Sequence, residues 1–396
     1  MGLASSIDTQ IAIVPETVWG VTPSSPVFQK LRITGESLVA GLGTVESQEL
    51  RPDRNVSDVA LVSANASGSL NFELSYSTFD ELIAAVMFGA WTRNALKNGA
   101  SSNMKSFTIE KRFDLGGSYE YFRYRGMVPN SMTLTLGVDA IITGSFEFMG
   151  VREDIAGGAL FGATYQESTH NPVLNATSSF AELSIDGDSQ NFIASMDMTA
   201  NNNLRAQRAV AHLESIGIGT GQFSVTGSMN VYFRSREIYN KYISNESVSL
   251  SFVLGQDGGM RYKFTIPRIK FTNGSVLAEN RGADLMCNMT YQAILDPVLG
   301  ATMKIERDIG VPPAPVPVTG VVLDMHAAEL SVGNSVTLIA HVLPDNASDQ
   351  VVTWSTDDDD VADVENGVVT GIGAGSATIT ATAGEGFTDT CDVTVA

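Results

Sequence analysis

The sequence predicts a mainly β protein. It reads as two tandem copies of one strand-rich domain, each with a short helix, followed by a separate C-terminal module of alternating strands. Three observations predict this. Apolar and polar residues alternate with period two in run after run, as half-buried antiparallel strands require. A set of short motifs occurs twice in the same order. The run Val311-Pro312-Pro313-Ala314-Pro315-Val316-Pro317 divides a long body from a shorter end, and such proline density makes a stiff, extended spacer.

The duplication is read from three motif pairs. Leu31-Arg32-Ile33-Thr34-Gly35-Glu36-Ser37 returns as Leu183-Ser184-Ile185-Asp186-Gly187-Asp188-Ser189. Leu50-Arg51-Pro52-Asp53-Arg54-Asn55-Val56 returns as Leu204-Arg205-Ala206-Gln207-Arg208-Ala209-Val210. Gly68-Ser69-Leu70-Asn71-Phe72 returns as Gly227-Ser228-Met229-Asn230-Val231. Two copies in one chain can occupy two equivalent positions of a symmetric ring. The resulting division is 1–165 and 166–310 for the two copies, 311–317 for the linker and 318–396 for the last module.

Strands in the first copy come from Leu70, Phe72 and Leu74, from Met132, Leu134 and Leu136, and from Ile142, Phe146 and Phe148, each alternating with polar residues. Between the first of these and the rest, Thr78 and Glu81 have capping-box spacing, and Phe79, Leu82, Ile83 and Val86 share one helical face. The second copy repeats the arrangement. Ala194, Met196 and Met198 alternate, as do Leu285, Cys287, Met289 and Tyr291. Its helix spans Ser235 to Ile243, with Ile238, Tyr239 and Tyr242 on one face. Leu38 to Leu50 and Ala209 to Gly221 read as loops that could reach a neighbour.

Composition narrows the function classes. At 43% hydrophobic residues over 396, the chain is globular in composition. No apolar run approaches about 18 residues, so no membrane-spanning helix is expected, and the first residues show no secretory signal pattern. The net charge is −20, and 13 acids with no Lys or Arg fall after residue 310. The body is mildly acidic, without the clustered bases of a DNA-gripping surface. Cys287 and Cys391 each sit in a strand-like alternation and read as buried free thiols.

The chain offers little catalytic chemistry. His170, His212, His326 and His341 are too far apart for paired metal-ligand spacing. Gly371-Ile372-Gly373-Ala374-Gly375 opens onto a strand pattern, so a phosphate would meet no helix N-terminus. Asp357 to Asp360 lacks the Gly and Glu positions of an EF-type calcium loop and reads as a solvated acidic turn. No catalytic, cofactor or metal residues are therefore assigned.

Two resemblances complete the reading. Val321-Val322-Leu323, Leu330-Ser331-Val332-Gly333, Val352-Thr353-Trp354-Ser355, Gly367-Val368-Val369-Thr370-Gly371 and Cys391-Asp392-Val393-Thr394-Val395 resemble the bacterial immunoglobulin-like (Ig-like) domain of group 2. That resemblance implies a β-sandwich for display, spacing and weak contact with surfaces such as host glycans. Its core would rest on Trp354 among Val336, Leu338, Val352 and Ile379. Glu16-Thr17-Val18-Trp19-Gly20-Val21-Thr22-Pro23, the Leu31 to Leu38 run, Glu49 to Arg54 and Gly68 to Leu82 resemble the tail tube proteins of long-tailed phages. This second resemblance implies tandem tail-tube β-sandwich/barrel domains that contribute strands to a continuous inner barrel. It implies trimeric, pseudo-hexameric rings stacked into a hollow tube, which surrounds the tape measure protein and conducts phage DNA without binding it specifically. The expected location is the virion tail, assembled in the host cytoplasm, with the Ig-like domain outside.

In such a tube the polar strand faces are candidates for the lumen, because Lys and Arg there would bind phosphate and slow passage. In the first copy they are Asn71, Glu73, Thr133, Thr135, Thr143, Ser145 and Glu147, and in the second Ser228, Asn230, Asn288, Thr290 and Gln292. The alternative is a bacterial surface adhesin or glycan-binding protein using its Ig-like domain. It fits less well, since the module occurs once and no export signal is apparent.

Overall fold

The computed structural model describes residues 8–176, 180–189, 192–255, 260–277, 282, 284–308, 317–345, 347, 349–384 and 386–396. The chain forms two compact units, Met1–Gly310 and Val311–Ala396. Apart from Pro317, the proline-rich linker lies outside the described residues.

The first half of the body contains β1 (Gln10–Pro15), β2 (Val27–Lys30), β3 (Gly35–Glu36), β4 (Val39–Glu46), β5 (Val59–Glu73), α1 (Asp80–Val86), β6 (Ala95–Lys97), β7 (Phe107–Asp114), β8 (Tyr119–Gly137), β9 (Thr143–Gly150), β10 (Arg152–Ala156) and β11 (Thr164–Gln166). The second half contains β12 (Phe180–Ile185), β13 (Asp188–Ser189), β14 (Ile193–Asn201), β15 (Arg205–Gln207), β16 (Gly217–Gly219), β17 (Ser224–Tyr232), α2 (Glu237–Ile243), β18 (Val248–Gly255), β19 (Arg261–Leu277), β20 (Met286–Ala293) and β21 (Lys304–Arg307).

The halves pair their strands in the same order. The first runs β4-β5-β9-β8-β7-β1, all antiparallel. The second runs β14-β17-β20-β19-β18-β12, again antiparallel. In each, the longest strand changes partners midway. The start of β8 pairs with β7 and β10, and its end with β9. The start of β19 pairs with β18 and β21, and its end with β20. In β8 the change comes at Gly126, held at φ +64 with no room for a side chain, since a Cβ would lie 2.5 Å from Val151.

Period-two patterning is what fills the core. Leu70 and Phe72 of β5, Met132 and Leu134 of β8, and Phe146 and Phe148 of β9 all turn inward onto Phe79, which precedes α1, and Leu82, Ile83 and Val86 of α1. Phe72 and Phe146 stack with centroids 4.7 Å apart. In the second half Met229, Met289, Tyr291 and the stacked Phe252–Phe264 pair, 4.8 Å apart, do the same. Ile238, Tyr239 and Tyr242 of α2 pack half-buried on that core, as their helical spacing predicted.

Three expectations need correction. The Thr78–Glu81 capping box does not form. The helix begins at Asp80 without a side-chain cap, and the Thr78 hydroxyl is engaged by Ser75 and Thr169 instead. The stretch Leu38 to Leu50 is mostly strand, because β5 extends back to Val59 and pairs β4 along Val39–Glu46. The strands of one chain do not close into a barrel. Among the described residues, β4 pairs only with β5 and the Asn273–Leu277 end of β19 only with β20, so each leaves one edge open. Beyond Gln166 the chain still follows the first half, with bridges from Ser75 to Val173 and from Ile141 to Asn175.

The C-terminal unit comprises β22 (Gly320–Leu323), β23 (Ala327–Leu330), β24 (Ser335–Thr337), β25 (Ala340–Leu343), β26 (Val352–Thr356), β27 (Ala362–Glu365), β28 (Val368–Gly371), β29 (Gly375–Ala383) and β30 (Phe387–Val395). They pair as β23-β30-β29-β26, β24-β28-β27 and β22-β25. Leu323, Leu338, Ile379, Cys391 and Val393 are buried together, with Val336, Val352 and Trp354 packed against them. Both cysteines are free and buried.

Candidate functional site

The two halves are joined edge to edge. The end of β8 pairs with β14 from Ser131–Asn201 through Gly137–Ser195. This junction makes one sheet of β4, β5, β9, β8, β14, β17, β20 and the end of β19. Side chains of paired residues share a face, so the registers align polar positions into rows across both halves. One row reads Asn71, Ser145, Thr133, Thr199, Thr226, Gln292, Lys270. The next reads Glu73, Thr143, Thr135, Asp197, Ser228, Thr290, Asn273. Ser69, Glu147, Ser131, Asn201 and Ser224 flank them on one side, and Ser195, Asn230, Asn288 and Ser275 on the other.

All twelve sequence candidates thus lie on one sheet face, and each is exposed or half-exposed. The face also includes residues that were not selected: Ser195, Asp197, Thr199, Thr226, Lys270, Asn273 and Ser275. Ser195, Asp197 and Thr199 carry the same alternation as their neighbours and were legible. The β19 positions were masked by a bulge between Phe271 and Asn273, which breaks the period of two.

Hydroxyls and amides of the face bond largely to one another. Thr133 and Thr199 meet across the junction at 3.0 Å, and Thr272 meets Thr290 at 2.9 Å. Ser131 donates to Glu147 Oε2 at 3.0 Å. Asp197 Oδ2 accepts both the Ser228 amide, at 2.7 Å, and its hydroxyl, at 2.6 Å. Of the registered positions, Glu73, Glu147 and Asp197 are acidic and Lys270 is basic. The buried face beneath is apolar, and there the Tyr291 hydroxyl donates to the Asp197 carbonyl at 3.0 Å. Burial pushes the Tyr291 phenol well above its ordinary value.

Polar and apolar locks hold the junction. Asn202 donates to the carbonyls of Val86, at the end of α1, and of Pro129. The Leu204 amide donates to Asn130 Oδ1 at 2.8 Å. Tyr262 of β19 donates to Asp80 of α1, whose carboxylate also pairs with Arg307 of β21. The Arg307 guanidinium lies 4.5 Å over the Trp91 ring. Strand β21 also pairs with β6 of the first half.

No group of three or more His, Cys, Asp or Glu suited to a metal occurs among the described residues. Asp357 to Asp360 form an exposed turn, where Asp357 Oδ1 accepts the Thr378 amide at 2.6 Å. No helix of the described residues is long and apolar enough to cross a membrane.

The family profile described as "Phage tail tube protein" matches residues 6–293. The chain belongs to the phage tail tube protein family. It is accordingly a structural phage tail protein, of a family whose members assemble with themselves into a tube within the virion. A second profile, "Bacterial Ig-like domain (group 2)", matches residues 317–393 of this tail tube protein. Three relatives share domain-sized stretches with it. An "Ig-like virion protein" of Serratia phage KSP90 is 38% identical over 93 residues, 23% of this chain and 36% of that one. A "Minor capsid protein" of Enterobacteria phage T3 is 37% identical over 101 residues, 26% of this chain and 22% of that one. A "3-O-alpha-D-galactosyl-alpha-L-arabinofuranosidase" of Bifidobacterium longum subsp. longum is 50% identical over 56 residues, 14% of this chain and only 5% of the enzyme. The tail tube protein therefore spans about a third or less of the length of each of these relatives.

Proposed function

We propose that three chains close into a pseudo-hexameric ring, and that stacked rings form a tube which surrounds the tape measure protein and later conducts DNA. The continuous polar face across β8 and β14 carries this reading. It is already a wall segment assembled from two similarly ordered halves, which supports their origin as tandem copies. A boundary after Ala176 suits this reading better than one after residue 165, since Val173 and Asn175 still bridge to the first half.

The junction inside the chain supplies a template for the junctions between chains. Strand β14 corresponds to β4, and the end of β8 to the end of β19. Transferring the register brings Val39 of one chain opposite Ser275 of the next, Ala40 opposite Gly274 and Gly41 opposite Asn273. Both edges are open among the described residues, as strand addition requires. The exposed face of the sheet would then continue from chain to chain around the lumen, with Val39 and Gly41 at each seam beside Ser275 and Asn273, and with the twelve candidate residues facing it. The Ig-like unit decorates the outside, where 13 acids without a Lys or Arg keep copies apart and where any contact with host glycans would be made.

Cryo-electron microscopy of the assembled protein tests this. Three chains per ring with β4 beside residues 273–277 of a neighbour is the expected result. Six chains per ring, or the polar rows facing outward, would refute it. The variant Ala40→Pro offers a second route. Strand alternation points the Ala40 amide away from β5, so proline there should spare the monomer and abolish rings.

A further inference from the structure

Asn-Gly occurs three times in the chain, at Asn98, Asn273 and Asn366, and the fold treats the three differently. Asn98 Oδ1 accepts the Thr302 and Met303 amides at 2.8 and 3.1 Å, and the Gly99 amide donates to the Met87 carbonyl at 2.8 Å. The two groups that could react with each other there are engaged elsewhere. Asn366 and Gly367 make the turn between β27 and β28, with φ +51 and +84. The Gly367 carbonyl accepts the Leu338 amide at 2.8 Å, so closing a ring there would distort the turn.

Asn273 is placed otherwise. It stands exposed just after the β19 bulge, on the stretch with one edge open. Its Oδ1 accepts the amide of its own successor, Gly274, at 2.9 Å. That hydrogen bond sets the Gly274 nitrogen beside the side-chain carbonyl carbon, which carries the same oxygen. Reacting groups held in contact need no further search for each other. Position 274 has no side chain to shield the nitrogen, and the core keeps it so. A Cβ there would lie 2.8 Å from the Met289 sulfur and 2.9 Å from the Tyr242 ring.

We infer that Asn273 is a self-modification site, which deamidates through Gly274 in the free chain and is protected by assembly. Hydroxide removes the Gly274 amide proton, and the nitrogen attacks Asn273 Cγ. The bond from Cγ to Nδ2 breaks. Nδ2 leaves as ammonia, taking a proton from water and restoring the hydroxide, and a cyclic imide remains. A further water opens the imide at either carbonyl. One opening leaves aspartate at position 273. The other leaves isoaspartate, whose main chain runs through the former side-chain carbonyl and is longer by a carbon.

Either product adds a carboxylate to the row that holds Glu73 and Asp197. Isoaspartate also shifts the residues that follow it on the open edge, where strand pairing depends on register. In the proposed ring, Ala40 of the next chain lies opposite Gly274. Its carbonyl points away from β5 like its amide, competes for the Gly274 amide, and holds the backbone in an extended ladder. Chains left unassembled therefore lose the edge with time, and chains in a tube keep it. The chemistry stands on the single chain, while the protection rests on the ring reading.

The test follows the full chain, as monomer and as tubes, in the same mildly alkaline buffer. Trypsin releases Phe271 to Arg281 as one peptide, and tandem mass spectrometry with enzymatic methylation of isoaspartate locates conversion at position 273. In the monomer, Asn273 should convert about ten-fold or more faster than Asn98, which reacts only when its hydrogen bonds open, and the rate should rise with pH. In tubes the Asn273 rate should fall towards that of Asn98. Monomer aged before assembly should lose tube-forming chains in step with its isoaspartate content, whereas Asn273→Gln monomer aged alike should keep its starting yield. Conversion at Asn273 no faster than at Asn98 in the monomer would overturn the site. Fast conversion that is equal in monomer and tubes would leave the site standing and overturn its protection, and with it the pairing of β4 beside residues 273–277.

Discussion

Thr133 and Thr199, which belong to different halves of the chain, face each other across β8 and β14 with their hydroxyl oxygens 3.0 Å apart. Each also continues a polar row into its own half. This pair marks the point where two strand sets become one surface.

The junction should be sensitive at Asn202. Its amide is buried and is shared between the Val86 and Pro129 carbonyls at 2.8 and 3.2 Å. Asn202→Ala leaves two buried acceptors without a donor, which costs about 1–3 kcal/mol. Chemical denaturation of the monomer should show that loss, and hydrogen exchange should speed up in β14 before β1.

The charge of the polar face can be reversed. Glu73→Lys, Glu147→Lys and Asp197→Lys together would place bases on every repeat of the wall. Tubes of this variant should retain DNA, with an affinity that falls steeply as salt rises, since each phosphate contact releases counterions. Wild-type tubes should show no such retention. Equal behaviour of the two in a filter-retention assay would count against a lumenal face.

The C-terminal unit should be dispensable for assembly. It has its own core and is a separate compact unit. Deleting residues 312–396 should leave a soluble protein that still forms tubes of unchanged ring symmetry. A soluble truncation that fails to form tubes would assign the unit a part in construction.

Acid should weaken that unit through Asp389. The Leu323 amide, donating at 2.7 Å, is the main influence holding the Asp389 carboxyl below its ordinary value, and Thr390 and His326 add to it. A carboxylate depressed in the fold stabilises it above its unfolded value, about 3.9, and loses that contribution as pH falls towards the folded value. Melting of the unit should therefore drop as pH falls below about 4. Asp389→Asn should melt lower at neutral pH and lose less on acidification.

Most of the strand content was legible because one face of each strand is buried. Met132, Leu134 and Leu136 cannot alternate with threonines over that length and be anything else. Strand β4 was not legible. Val39-Ala40-Gly41-Leu42-Gly43-Thr44 is glycine-rich and has no buried residue, and it is a strand only because β5 extends to meet it. The capping-box spacing misled because nearby hydroxyls compete for Thr78. The candidate face was half legible. Period two gave the polar side of each strand, but nothing local encodes that β8 and β14 are neighbours. That pairing joins residues far apart in sequence, and only the tertiary fold reveals it.

The β8–β14 pairing also bears on how growth begins. Each chain emerges from folding with one junction already made, so half the junctions of a three-chain ring form at the effective concentration set by the chain itself and do not depend on how much protein the cell holds. In the proposed three-chain ring, nucleation would depend on encounters among three partners where separate domains would need six. The threshold concentration is correspondingly less steep, and a ring assembled from an odd number of halves is ruled out by covalent linkage.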